Sequence, residues 1–447
     1  MESIDAKKDA VLQAVERDKV RFVDLQFTDL FGTVKSVTIP VEHLADSLEK
    51  GTWFDGSSIQ GFTRICESDM YLMPDPDTYN VIPWKAENGA TARMICDVYM
   101  PDGEPFEGDP RYILKKAIAA AEDKGLLYNT GPELEFFLFK SADGTICSIP
   151  HDTGGYFDLS LDYAYSVRKD MAIALEKFGI SMEMSHHEVA QGQHEINFRY
   201  GPALSTADNA ITLRYTFKAI ANLHGLHCTF MPKPIFGING SGMHVHQSLF
   251  DKEGNNMFFD ADDAYKLSDT ARSFIAGQLA HVREMSAIIA PTVNSYKRLV
   301  PGYEAPVYIC WGQRNRSALI RVPRYSPGRE KATRAELRCP DPSCNPYLAF
   351  AAMLHAGLDG VEKKMSPPDP VEEDVYEFND DELEKFYIKT LPASLGEALS
   401  ELEKSELMKK ALGPHSFDQY VRNKKAEWDS FRLHVSDWET DRYLEVL

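Results

Sequence analysis

Hydrophobic and polar positions along this chain change their period several times. Apolar residues recur at helical spacing over about 4–18 and then alternate as two strands over 20–39, joined at Asp29-Leu-Phe-Gly32. A short helical pattern follows at 41–50, a further strand at 94–99, and a turn at Met100-Pro-Asp-Gly103. Asp109-Pro110 signals a new helix, a capping residue followed by proline at the first helical position; its pattern runs to about 124 and stops at Gly125. Amphipathic helices are expected near 162–178, 206–224 and 268–289. Residues 366–381 are rich in proline and acid and read as a loop, after which helices dominate. No internal repeat is present. The pattern predicts a small α+β unit over 1–102 and a larger unit over 103–447.

Several alternating stretches carry polar groups on one face. In Asn239-Gly-Ser-Gly-Met-His244-Val-His246-Gln-Ser248, alternation places His244, His246 and Ser248 on one side of a strand and Met243, Val245 and Leu249 on the other. In Gly131-Pro-Glu133-Leu-Glu135-Phe-Phe-Leu-Phe139 the two glutamates share a face with Phe137 and Phe139, a costly arrangement unless a positive group compensates. In His186-His-Glu188-Val-Ala-Gln-Gly-Gln-His-Glu195, a turn at 190–193 predicts a hairpin that brings Glu188 and Glu195 together. In Arg334-Ala-Glu336-Leu-Arg338 three charges share one face. Each has a plainer reading alone: hydrogen-bonded histidines, a solvated sheet edge, a polar hairpin tip, a salt-bridge ladder. Taken together they offer five glutamates and a histidine. That is an oxygen-dominated set without thiolate, suited to Mg²⁺ or Mn²⁺ and most naturally divided between two ions.

Composition narrows the partners. The 447-residue chain carries a net charge of −20, which argues against nucleic acid and against an anionic membrane surface. An anionic substrate must then be met by local arginines and metal. No apolar run of membrane-spanning length occurs, and the seven cysteines form no C-x-x-C pair, so a reduced, cytoplasmic protein is expected. Cys339 stands beside the Glu336 strand, but nothing marks it as a nucleophile. There is no Walker A motif, because Gly51-Thr-Trp-Phe-Asp-Gly-Ser lacks the lysine.

These blocks resemble those of the prokaryotic type of glutamine synthetase. The resemblance covers essentially the whole chain and includes Phe54-Asp55-Gly-Ser-Ser58, Lys297-Arg298-Leu-Val-Pro-Gly-Tyr-Glu304-Ala-Pro306, Arg314-Asn-Arg316-Ser-Ala-Leu-Ile-Arg321 and Pro340-Asp-Pro-Ser-Cys-Asn-Pro346. It implies an α+β fold, with an N-terminal β-grasp domain followed by a catalytic domain whose curved antiparallel sheet is flanked by helices. It implies ATP as co-substrate and ATP-dependent joining of ammonium to glutamate through γ-glutamyl phosphate. Glu135, Glu188 and Glu195 would hold one cation, and Glu133, His244 and Glu336 another. Glu183, His246, Ser248, Arg321 and Lys331 match nucleotide-contacting positions. Arg316 and Arg338 match groups on the phosphoryl oxygens, with Arg316 also near nucleotide. Arg298, Asn239 and Gly240 match glutamate-binding positions, glycine allowing close approach. Asp55 and Ser58 match the ammonium subsite, and Glu304 the flap that closes over the intermediate.

The resemblance further implies a dodecamer of two hexameric rings, in which Asp55 reaches the neighbouring subunit's site. It also admits small regulatory proteins as partners. Arg64 resembles a glutamine-sensing arginine, though pairing with Glu67 is an alternative. The region matching the adenylylated segment offers only Asp374-Val-Tyr376-Glu, without an insertion, which puts adenylylation in doubt. Three rivals remain on this reading: a γ-glutamyl-amine (polyamine) ligase, a non-catalytic relative, and a two-metal hydrolase. Asp55 and Ser58 disfavour the first, retention of all six ligands the second, and the arginine series from Arg298 to Arg338 the third.

Overall fold

A computed structural model describes residues 3–57, 59, 61, 69–84, 89–142 and 145–447. The expected Ser58 and Arg64 lie outside the described residues. The chain begins with a helix, Ile4–Arg17, whose Ser3 side chain accepts the Ala6 amide. Six strands follow: β1 (Val20–Thr28), β2 (Val34–Pro40), β3 (Thr52–Asp55), β4 (Asp69–Pro74), β5 (Asn80–Val81) and β6 (Ala90–Tyr99). They form one sheet in the order β2-β1-β6-β4-β3, with β5 on β6; β1 and β6 run parallel. The strand expected at 94–99 starts four residues earlier, because β6 must pair with both β1 and β4. Val11, Val15, Leu25, Leu44, Met70 and Met94 form this unit's own apolar core.

Ten strands build the second sheet: β7 (Leu127–Ala142), β8 (Thr145–Pro150), β9 (Met182–His187), β10 (Gln193–Phe198), β11 (Gly201–Pro202), β12 (Leu226–Thr229), β13 (Met243–Phe250), β14 (Tyr308–Gly312), β15 (Ala318–Arg321) and β16 (Ala335–Leu337). Their order is β14-β15-β16-β13-β7-β10-β9, with β8, β11 and β12 also on β7. All pairings are antiparallel except β14 with β15. The architecture is the α+β arrangement expected from the resemblance. Strand β7 is its axis, not a solvated edge. Leu134, Phe136 and Leu138 face the main core, whereas Phe137 and Phe139 pack with Ala190 on the face that carries Glu133 and Glu135.

Four of the helices supply much of that core: Pro110–Glu122, Ala203–Leu223, Asp269–Ile289 and Pro346–Glu362. The first starts at Asp109 as expected, the Asp109 carboxylate accepting the Arg111 amide. Residues 366–381 are mostly loop, broken by a 3-10 turn at Val375–Glu377. No helix of the described residues is long and apolar enough to cross a membrane. A buried arginine joins the small sheet's unit to a helix of the larger one. Arg111 contacts Asp75 (2.7 Å) and Asp97 (2.8 Å) on the N-terminal side and Asp208 (2.9 Å) on the helix Ala203–Leu223. The Tyr347 hydroxyl adds a 2.6 Å bond to Asp208.

Helices Asp269–Ile289 and Pro346–Glu362 approach so closely that side chains are excluded where they meet. A Cβ on Gly277 would lie 2.2 Å from the Ala356 carbonyl oxygen and 2.7 Å from the Gly360 nitrogen. Backbone cannot yield there as a flexible side chain would. Gly277→Ala should therefore destabilise the fold by about 1–3 kcal/mol despite alanine's better helix propensity. An unchanged melting temperature would show that the helices can separate at no cost.

Candidate active site

Strand register lays the polar groups out as a row across the second sheet. Glu195 pairs with Glu135 and with His186 on its two sides. Glu133 pairs with His244, His246 with Glu336, and Glu336 with Arg321. Directly paired residues stand within side-chain reach, so six strands deliver one continuous polar surface. The expected hairpin is present: the Glu188 amide donates to Gln193 O at 2.8 Å, which sets Glu188 opposite Gln193 and diagonal to Glu195, with the two carboxylates within 4.8 Å of each other.

Two cavities open on this surface. One, of about 340 Å³, is lined by Glu133, Glu135, Glu188, Glu195, Asn239, Gly240, His244, Arg298, Glu304, Arg316, Arg321, Glu336 and Arg338. The other, of about 390 Å³, is lined by Glu183, His246, Ser248 and Lys331 together with Asn129, Phe198, Tyr200, Arg329 and Arg334. Glu133 borders both. The residues expected at the metals and the amino acid thus share the first cavity. Those expected at the nucleotide share the second, apart from Arg316 and Arg321.

The carboxylates crowd one another. Glu188 and Glu195 offer ligand atoms within 4.8 Å of each other and of His186, as do Glu133, His246 and Glu336 among themselves. Burial and the charge of Glu188 push the Glu135 carboxyl up to about 8. Burial, with Glu133, Glu135 and Glu188, raises Glu195 well above its ordinary range. Burial works against ionisation of Glu336 as well, but His246, His244, Arg321 and Arg338 outweigh it and hold that carboxyl low. Burial lowers the pKa of His244, which favours the neutral imidazole a metal needs. Such a cluster, short of cations on its Glu135–Glu188–Glu195 side, fits divalent metal.

Hydrogen bonds fix several orientations. Glu135 Oε2 accepts from Gln193 Nε2 (2.8 Å) and the Gly242 amide (3.0 Å). Arg334 Nε donates to His246 Nδ1 at 3.1 Å, so Nε2 carries the proton given to Glu133 Oε1 at 2.9 Å. Arg321 Nε lies 2.5 Å from Glu336 Oε2. Arg338 is buried and stands 3.4 Å from Glu336, yet its Nη1 has no hydrogen-bond partner in the protein. A buried donor of this kind suits an anionic ligand. Behind the hairpin, Asp152, His187, His194, Arg168 and Asp162 form a buried network. His187 bonds Asp152 Oδ1 (3.0 Å) and the Glu188 carbonyl (2.7 Å), and so holds the hairpin tip from below.

Some expectations take a different form. Arg298 is buried, and its guanidinium donates to the Cys339, Pro340 and Arg338 carbonyls at 2.9–3.2 Å, so much of its capacity is spent on the main chain. Gly240 has a reason stricter than ligand access, since a Cβ there would fall 2.3 Å from the Pro232 carbonyl oxygen. Asp55 lies at the end of β3 in the other sheet, exposed, accepting the Ser57 amide at 2.8 Å, and it borders neither cavity. Cys339 is buried with its thiol pushed up to about 12, which leaves it inert at neutral pH. Sequence reading passed over His186 as a site residue, although its place two residues before Glu188 was a usable signal. Tyr156, Tyr303 and Gln193 also line the cavity, and no local pattern pointed to them.

A sheet that presents carboxylates and a histidine able to hold divalent cations, set between arginines and beside a second cavity of about 390 Å³, is the arrangement expected of metal-dependent enzymes that move phosphoryl groups. The glutamine synthetase catalytic-domain family matches residues 107–443, and the glutamine synthetase beta-Grasp family matches 19–101. The chain is 54% identical over 442 residues to a glutamine synthetase of Methanosarcina mazei, covering 98% of both chains. It is 51% identical over 438 residues to one of Thermotoga maritima, covering 98% and 99%. Among solved structures, a GmaS/ADP complex in its conformation 1 superposes with a TM-score of 0.89 at 33% identity, over 97% of this chain and 99% of that one. The chain belongs to the glutamine synthetase family.

The raised carboxyls would make metal binding proton-linked. A cation held by this cluster would have to displace the protons of Glu135 and Glu195, and its affinity would rise with pH until these groups are ionised. The metal-induced increase in melting temperature should therefore grow from about pH 6 to about pH 8, with proton release measurable by calorimetry in buffers of different ionisation enthalpy. A metal effect flat across that range would mean the cluster is already ionised without metal.

Proposed function

We infer that this protein is an ATP-dependent glutamate–ammonia ligase. ATP phosphorylates the γ-carboxylate of glutamate, and ammonia then displaces phosphate to give glutamine. The full-length similarity to glutamine synthetases carries this reading, and the row of carboxylates between two adjoining cavities gives it a physical basis.

We propose residue roles in the same terms. Glu135, Glu188 and Glu195 would hold one divalent cation, and Glu133, His244 and Glu336 a second, Mg²⁺ or Mn²⁺ in either case. Such ions supply positive charge to the nucleotide phosphates and the transferred group. Arg338, with its unpaired buried Nη1, and the exposed Arg316 are placed to take the phosphoryl oxygens that gain charge during transfer. Arg321 and Lys331 bind nucleotide phosphates, and Glu183, His246 and Ser248 line the nucleotide cavity with them. Asn239 and Gly240 orient the amino acid beside Arg298. Glu304, bonded to Asn239 at 3.2 Å, closes the cavity mouth against water.

Asp55 receives ammonium and takes its proton, but from a neighbouring copy of the chain. Ser57 holds its carboxyl below the ordinary range, so it stays anionic at working pH. Its distance in the fold from its own chain's cavity favours a site shared between subunits. The family's dodecamer of two six-membered rings would provide that arrangement.

Glu336→Ala should reduce ATP-, metal- and glutamate-dependent phosphate release by orders of magnitude. Near-normal turnover at ordinary Mg²⁺ would remove Glu336 from the ligand set.

Asp55→Asn should abolish glutamine formation while leaving nucleotide affinity little changed. If sites are shared, equal amounts of Asp55→Asn and Glu336→Ala subunits assembled together should recover on the order of a quarter of wild-type activity, since that fraction of interfaces joins two intact halves. Mixed assemblies as inactive as their parents would place Asp55 in its own chain's site.

A further inference from the structure

Residues 371–376, within the loop where the sequence offered Asp374-Val-Tyr376-Glu, bind two separate loops of the active site. Val371 donates to Trp311 O at 2.9 Å and accepts from Asn315 Nδ2 at 3.0 Å. The Glu372 carboxylate accepts the Gln313 and Arg314 amides at 3.0 and 2.7 Å. The Val375 amide donates to Ser317 Oγ at 3.0 Å. These bonds shape the turn that presents Arg316. Tyr376 reaches the other way: its hydroxyl donates to the Ala305 carbonyl at 2.6 Å.

Ala305 follows Glu304, whose φ of 56° is in the left-handed region that a side chain disfavours. Such a residue persists where its flanks over-determine it. Before Glu304, the Tyr303 ring sits 3.9 Å from the Lys233 ammonium. At Glu304 itself, Asn239 donates to the carboxylate. After it comes the Tyr376 hydroxyl, which burial keeps protonated by pushing its pKa up to about 12. Glu304, Arg316, Arg338 and Tyr376 all line one cavity of about 470 Å³ beside the active site.

We propose that Tyr376 is a positioning residue whose hydroxyl latches the Glu304 loop to the segment that shapes the Arg316 turn, setting both sides of the cavity mouth together. This rests on the reading of Glu304 as the closing group. If the latch is lost, water enters. Its oxygen then attacks the acyl carbon of γ-glutamyl phosphate in place of ammonia, the bond from that carbon to the phosphate oxygen breaks, and phosphate leaves with the electron pair. One of water's protons ends on the departing phosphate and the other passes to solvent, and glutamate is regenerated.

Tyr376→Phe removes the hydroxyl and keeps the ring that packs on Tyr308 at 6.0 Å. The measurement is phosphate released per glutamine formed at saturating ammonium, together with phosphate release without ammonium. Both should rise several-fold in Tyr376→Phe, with KM for ATP and melting temperature unchanged. Glu304→Ala is the companion variant. Uncoupling in Glu304→Ala with wild-type coupling in Tyr376→Phe would overturn the latch alone. Full coupling in both would overturn the closing role of Glu304 and the latch with it. A Tyr376→Phe protein that melts early yet stays coupled would make the hydroxyl a packing group only.

Discussion

Like-charge crowding on one face of a sheet is the constraint around which this molecule is built. Five glutamates converge on a partly buried surface, where burial and the neighbouring carboxylates raise the cost of ionising Glu135 and Glu195. Rigid cross-strand pairing keeps them there. Strand β7 has neighbours on both sides along its length, so Glu133 and Glu135 cannot swing into solvent as edge residues would. The opposite face of the same strand buries Leu134, Phe136 and Leu138. Hydrophobic burial beneath the sheet thereby maintains electrostatic strain above it, which a divalent cation held there would relieve.

Positive charge enters the site unevenly. On the Glu336 side, Arg321, Arg338 and two histidines compensate the carboxylates. On the Glu188–Glu195 side the nearest compensation is His186, with the Asp152–His187 network beneath. The first side is thus prepared for an anion shared between arginine and metal, and the second for a cation alone. That asymmetry matches a reaction in which phosphate and a carboxylate must be brought together against their mutual repulsion.

Rigidity elsewhere supports the same end. The buried Arg111 hub ties the small sheet to the helix Ala203–Leu223 of the larger unit, and removing one partner of such a hub would strand the remaining charges. Asp55, carried by the small sheet, is consequently held in a defined place relative to its own chain's cavity. The rest of the site is carried by loops: the Glu304 loop, held at three points, and the Arg316 turn, held by main-chain and side-chain bonds from a single segment.

Much was legible in the residues. Alternation assigned His244 and His246 to one face and Met243 and Val245 to the other, because the side-chain period of a strand is a local property. The hairpin that joins Glu188 and Glu195 was legible for the same reason, as was the helix start at Asp109-Pro110. Resemblance added the grouping of distant blocks, which no local rule supplies. What the tertiary structure alone decided is non-local. Only strand pairing could show that β7 is central and that Glu336 sits opposite both His246 and Arg321. Likewise Arg298 was expected beside glutamate, and only the fold showed three carbonyls taking much of its donor capacity, while Tyr376 read as a loop residue until Ala305 came within hydrogen-bond reach. Sequence determines which faces are polar; register and packing decide which polar groups meet, because those depend on chain segments tens to hundreds of residues apart.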